Sequence, residues 1–230
     1  MSVRIFPISM GVTRGYVLQE EGTVMIDGGA PGKIKAFLQG LKKASIDPQS
    51  ITLLILTHGH WDHIGLAKEI KEITGAKIAM HEKERACLEK SLKPLPPGVS
   101  AWGRTFAGIM ALFMPLVKIP TARVDILLGS AEFSLQEFGI SGKIIPTPGH
   151  SPGSVSVLLP SGEAFVGDLA MNAFPMRLTP GLPIFADSLE TVKESWRLLL
   201  SHGVKMIYPS HGRPFPVERI KNRLLEGDQR

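Results

Sequence analysis

Cysteine is nearly absent: the 230 residues hold one, Cys87. A disulfide framework within the chain is therefore impossible, and a reducing compartment is the natural setting. Long apolar runs are also missing, so no segment reaches the roughly 20 residues that a bilayer span needs. The opening MSVRIFPISMGVTRGYVL lacks an uninterrupted apolar stretch followed by a small-residue cleavage site. No signal peptide is expected, and the expected location is cytoplasmic. Basic blocks are scarce too. The formal charge is +5, but the densest short runs are only Lys33–Lys35 and Lys42-Lys43. Aromatic residues do not interleave with them to make a stacking platform, so a nucleic-acid partner is not expected. A mildly basic solvated surface accounts for the charge.

The remaining composition is ordinary for a globular protein, at 43% hydrophobic and 20% charged residues. A chain of this length can bury a sizeable core without disulfides or a structural metal. A metal site, if there is one, therefore points to chemistry rather than to stability.

Hydrophobic periodicity gives the coarse organisation. Short strands are expected at 3–8, 14–19 and 24–26, then a helix over 32–45 with Ile34, Phe37, Leu38 and Leu41 on one side. The nearly continuous apolar run Ile51–Leu56 suits a strand buried on both faces. A helix over 64–74, a strand over 77–80 and a charged helix over 83–91 follow. Strands are expected again at 125–128, 132–135, 143–147, 154–159 and 163–167, then a helix over 188–201, a strand at 206–208 and a helix over 216–226. The order suggests two similar halves, each laying a sheet under helices, in one domain spanning 1–230.

One stretch departs from this pattern. Residues 92–122 open with Pro94, Pro96, Pro97 and Gly98 and turn apolar from Phe106 to Val117. This reads as an inserted subregion, too short to cross a bilayer and interrupted by Pro115. Three uses compete: an apolar lid over a site, ordinary packing or a homodimer contact, and contact with a membrane surface.

The chemistry-bearing residues are the histidines. Three of the seven fall with an aspartate into six residues, as His58-x-His60-x-Asp62-His63, just past the end of a buried strand. Functional loops of α/β proteins gather there. Imidazole and carboxylate are ligands that zinc, iron and manganese accept. His150, Asp168 and His211 each follow a strand-like run in the same way. Four strand ends thus offer seven ligands, which meet if those ends share one edge. His81 and His202 fit this pattern less well. His81 is expected at the surface, and His202 at a helix C-terminus, where a cation suits the helix dipole. Cys87 has no ligand spacing around it and reads as packing.

Thr57-His58-Gly59-His60-Trp61-Asp62-His63 resembles the T-H-x-H-x-D-H signature of the metallo-β-lactamase superfamily. Thr147-Pro148-Gly149-His150-Ser151-Pro152-Gly153-Ser154 is similar to its T-P-G-H-T-P-G-S segment, and Gly167-Asp168 and Ser210-His211-Gly212 to its G-D and G-H-G segments. The resemblance implies an α/β fold of four layers, an αββα sandwich with metals at one edge. It implies that His58, His60 and His150 hold one ion, that Asp62, His63 and His211 hold a second, and that Asp168 bridges them. Asp27, after Val24–Ile26, would be the structural aspartate beneath the metal loop. The set resembles the glyoxalase II and lactonase branches and departs from the true β-lactamases that place a cysteine in the second site, since Asp168 stands where that cysteine would be.

The implied function is hydrolysis of a small carboxylic ester, thioester or lactone by hydroxide generated at two divalent ions, with Asp62 as a catalytic group. Zinc is the first expectation, with iron or manganese as alternatives. Rival activities are β-lactam hydrolysis, phosphodiester or nucleic-acid cleavage, and persulfide oxidation at a single iron. The expected partner is a small-molecule substrate.

Overall fold

The computed structural model describes residues 2–174, 176 and 180–227. Among the described residues twelve strands form two six-stranded mixed sheets. The first sheet runs in chain order: β1 (Arg4–Met10), β2 (Thr13–Gln19), β3 (Thr23–Ile26), β4 (Ile51–Ile55), β5 (Lys77–His81) and β6 (Ile126–Leu128). Its first three strands are joined by antiparallel pairing, and β3, β4, β5 and β6 run parallel. The second sheet holds β7 (Phe133–Ser134), β8 (Lys143–Pro146), β9 (Val155–Leu158), β10 (Glu163–Gly167), β11 (Met206–Pro209) and β12 (Phe215–Pro216). Only β10 and β11 pair parallel there.

The period of two along each strand assigns its side chains to layers. In β2, Val17 joins a core beneath helices α1 (Ile34–Lys43), α3 (Ala67–Thr74) and α4 (Arg85–Glu89), while Tyr16 and Leu18 join a core between the sheets. In β10, Phe165 faces that same inner core. Ala164 and Val166 point the other way, toward α6 (Leu189–Ser201) and α7 (Glu218–Gly227). Three cores separated by two sheets make the αββα sandwich. In α1, Phe37 and Leu41 are fully buried, each contributing about 1.5–3 kcal/mol. Trp196 of α6 is fully buried, and its indole N–H donates to the Leu169 carbonyl at 3.0 Å, so its polar end is satisfied.

The helix expected over 64–74 is split. Trp61–Ile64 forms a single turn, α2, and α3 starts afresh at Ala67. The Gly65 N–H leaves the helical ladder to donate to the Gly29 carbonyl at 2.9 Å. A Cβ on Gly65 would lie 2.3 Å from Pro31 Cδ, so the close approach requires glycine. This crossing seats Asp62 and His63 on a short rigid turn. The charged helix expected over 83–91 is likewise shorter: residues 82–84 form a 3₁₀ turn before α4.

In the inserted subregion, α5 (Ala101–Phe113) starts at Ser100, whose hydroxyl accepts from the Gly103 N–H. Only Gly103 of its 13 residues is buried. Leu112 and Leu116 are 76% and 77% exposed. The helix is anchored at its start, where Trp102, Phe106 and Phe185 stack in sequence with ring centroids 5.9 Å apart at each step. Among the described residues no helix is long and apolar enough to cross a membrane.

Candidate metal centre

Parallel strands deliver their C-terminal ends to one edge, and the site is built there. Asp27 follows β3, the His58–His63 loop follows β4, His81 ends β5 and Glu84 follows it. From the second sheet, His150 lies beyond β8, Asp168 follows β10, and His211 lies beyond β11. The sheets are tied at this edge: the Val155 N–H donates to the Thr57 carbonyl at 2.9 Å, and the Arg14 N–H to the Ser210 carbonyl at 2.9 Å. Gly167 sits against the threonine, where a Cβ would come within 2.5 Å of Thr57 Oγ1.

All seven residues expected as ligands come together and are buried. His58, His60, His150 and Asp168 form one cluster, and Asp62, His63 and His211 a second, each with its ligand atoms within 4.8 Å of one another. Asp168 reaches both. Its Oδ2 lies 3.7 Å from His150 Nε2 and 3.4 Å from His211 Nε2, and its Oδ1 lies 3.4 Å from His63 Nε2. Asp62 Oδ2 lies 3.1 Å from His211 Nε2 and accepts from the Thr13 hydroxyl at 3.2 Å.

The outer nitrogens decide how the rings are oriented. His150 Nδ1 lies 2.8 Å from the Phe185 carbonyl and His211 Nδ1 lies 3.0 Å from the Val12 carbonyl. A carbonyl only accepts, so both Nδ1 atoms carry hydrogen. His63 Nδ1 donates to Asp27 Oδ2 at 2.9 Å. The Thr57 hydroxyl gives its hydrogen to Asp27, which leaves its oxygen to accept from His58 Nδ1 at 3.0 Å. Asp27 is fully buried and also accepts from the Thr57 N–H and the Ser210 hydroxyl. It holds three segments at once, from a backbone with a positive φ of 60°.

This orientation turns the Nε2 atoms of four rings inward. His150 Nε2 then faces His58 Nε2 at 3.2 Å, and His60 Nδ1 approaches it at 2.9 Å. Lone pairs converging in a dry site repel one another unless a cation lies between them. His63 Nε2 and Asp168 Oδ1 are buried with no hydrogen-bond partner, a costly arrangement that a cation would relieve. Nitrogen and carboxylate donors in this number suit zinc, iron or manganese. The cluster fits a binuclear metal site.

The two clusters differ in electrostatics. Burial pulls His58 and His150 below the usual imidazole range, and with His150 beside it takes His60 down to about 3. These rings are neutral at pH 7. In the second cluster burial also works against charge, but the carboxylates outweigh it. Asp168, Asp27 and Asp62 raise His63, and Asp168 with Asp62 raises His211 to about 10. Burial works to raise Asp62, yet His63 and His211 hold it down at about 2. It is a carboxylate at neutral pH.

The other residues singled out in the sequence fall into place differently. His81 is 5% exposed, which corrects the expected surface position. Its Nδ1 accepts from the Lys83 N–H at 3.2 Å, and the ring packs against Gly153. His202 closes the C-terminus of α6, 3.6 Å from Glu132. Cys87 is buried against Gly59, and burial raises its thiol to about 11, so it is inert packing. A depression of about 650 Å³ lies away from the ligands, lined by Glu132, Ser134, Lys143, Leu158 and His202 among others. Glu84 was read only as part of a charged helix. It is 3% exposed, and its two oxygens accept from Gly59 and Gly153.

The profile of the Metallo-beta-lactamase superfamily matches residues 11–211. The chain belongs to this superfamily. It is 27% identical over 219 residues to the probable metallo-hydrolase YflN of Bacillus subtilis, covering 88% of this chain and 80% of that protein. It is 25% identical over 173 residues to the hydroxyacylglutathione hydrolase GloC of Haemophilus influenzae, covering 74% of this chain and 72% of that one. The metallo-beta-lactamase family protein TTHA1429 of Thermus thermophilus shares the fold, with a TM-score of 0.70 at 17% identity over 99% of this chain and 79% of that one.

Proposed function

We propose that this superfamily member hydrolyses a small carboxylic ester, thioester or lactone with two divalent ions, zinc first among them. The observation that carries the reading is Asp168, whose two oxygens reach histidines of both clusters. His58, His60 and His150 would hold one ion, Asp62, His63 and His211 the other, and Asp168 both. Two such cations lower the pKa of a shared water toward neutrality and polarise a carbonyl oxygen.

The chain's own residues do the rest. Asp62 is ionised, and the Thr13 hydroxyl fixes its Oδ2. It can therefore accept a hydrogen bond from the attacking water and set that water's direction. Asp27 keeps the His58, His63 and His211 segments in register without touching substrate. The Trp102–Phe106–Phe185 stack is tied to the site through the backbone, since the Phe185 carbonyl accepts from the outer nitrogen of His150. These aromatic side chains would suit the apolar acyl part of a substrate, which is the lid reading of the inserted segment.

An aspartate in the bridging position and the similarity to GloC favour a carboxylic thioester or ester over a β-lactam. The test is a panel on the zinc-loaded protein: a thioester, a lactone, an aryl ester, a β-lactam and a bis-aryl phosphate. Turnover of one of the first three above the other two is expected. Turnover of the β-lactam or the phosphodiester alone would replace the reaction class.

A further inference from the structure

We propose that Glu84 is a positioning residue that clamps the first metal cluster, joining the loop that carries His58 and His60 to the loop that carries His150. The inference rests on the two-metal reading above. Three neighbouring parallel strands, β3, β4 and β5, end at the site edge, and the middle one carries the His58–His63 loop. A buried carboxylate stands on each side of that loop: Asp27 after β3 and Glu84 after β5. Asp27 grips the threonine before the loop and the His63 ring. Glu84 grips the other flank. Its Oε2 accepts from the N–H of Gly59, the residue between His58 and His60, at 3.1 Å. Its Oε1 accepts from the N–H of Gly153, three residues past His150, at 2.8 Å.

The fit around this carboxylate is close. A Cβ on Gly59 would lie 2.6 Å from Glu84 Oε2, and one on Gly153 would lie 2.6 Å from Glu84 Cγ. Both loops therefore need bare backbone where Glu84 crosses between them. Loops on different sheets supply His58, His60 and His150, and the direct carboxylate bridge between those loops is Glu84. No hydrogen bond runs from Glu84 to Asp62, His63 or His211 among the described residues. The loop held through Gly59 also carries Asp62 and His63, but only the first cluster draws on both loops that Glu84 joins, so the clamp acts chiefly on the first ion, an asymmetry that a general role in folding would not show.

The test separates the two ions. Zinc affinity is measured by competition with a chromophoric chelator in two backgrounds: His211→Ala, which leaves the first cluster intact, and His60→Ala, which leaves the second. Glu84→Gln turns an acceptor into a donor facing an N–H, and Glu84→Asp keeps the charge but shortens the reach. In the His211→Ala background both should weaken zinc binding by about 10–100-fold, as loss of a ligand's supporting partner does. In the His60→Ala background the affinity should stay within about twofold. If Glu84→Gln does not fold, Glu84→Asp carries the comparison alone. Equal losses in both backgrounds, or none in either, would overturn the clamp. Failure of both backgrounds to bind zinc with Glu84 intact would overturn the metal reading itself, and the clamp with it.

Discussion

The metal edge and helix α5 are opposites built from one chain. At the edge, polar side chains are buried and most carry a second hydrogen bond that fixes their direction. On α5, most side chains are exposed; the helix is held near its start by the aromatic stack and past its end by the buried Met114, whose carbonyl accepts from Lys93 Nζ. Buried polar groups are costly unless satisfied, so the edge tolerates little change. An exposed apolar patch instead marks a surface adapted to something it touches. On the proposed function, the difference divides the labour: rate would be set at the edge, and preference among substrates near α5.

The largest break in this comparison should come from Asp168, the residue shared by both clusters. Asp168→Asn should lower kcat/KM by about a hundredfold or more, since it withdraws charge from both ions at once; steady-state kinetics on the panel's best substrate checks this. Asp62→Asn should cost at least about tenfold in kcat. Near-normal turnover in a metal-loaded Asp62→Asn protein would remove Asp62 from its role. At the other region, Phe106→Ala should lower kcat/KM about tenfold for long-acyl esters and leave short-acyl esters nearly unchanged. Equal losses for both chain lengths would reduce the stack to ordinary packing. Leu112→Ser, on the exposed face, should move stability by less than about 0.5 kcal/mol, read by thermal melting.

A pH experiment sharpens the contrast within the edge itself. His63 and His211 have raised pKa values in the metal-free protein, His211 about 10. Both therefore carry a proton at pH 7 that an incoming ion must displace. Binding at the second cluster should release about two protons, and its affinity should climb as pH rises toward 10. His58, His60 and His150 have lowered values, so binding at the first cluster should release almost none at pH 7. Calorimetry in buffers of different ionisation enthalpy, in the single-cluster backgrounds, measures both.

What the sequence made legible follows the same division. The seven residues that cluster at the edge, and Asp27, could be read because metal-binding chemistry demands particular residue types at particular strand ends, in fixed order. The sandwich could be read from periods of two and of roughly four. Glu84 and His81 were misread because their role depends on β5 pairing parallel beside β4, a long-range fact that local composition does not encode. A carboxylate three residues past a strand parallel to the ligand-bearing one was the available signal. The split between α2 and α3 was hidden for a similar reason, since Gly29 and Pro31 impose it from across the fold. The apolar run of the insertion was visible, but the helix begins at the Ser100 cap rather than with that run, and its first turns are seated by the long-range packing of Phe106 against Phe185.

The central claim is that one buried edge holds two ions, and the most direct test is to count them. Elemental analysis of the purified protein, after supplementation with zinc, iron and manganese and removal of loosely bound metal, should give close to two ions per chain. The His60→Ala and His211→Ala proteins should each give close to one. A value near zero in the unsubstituted protein, or two ions retained after either substitution, would contradict the account.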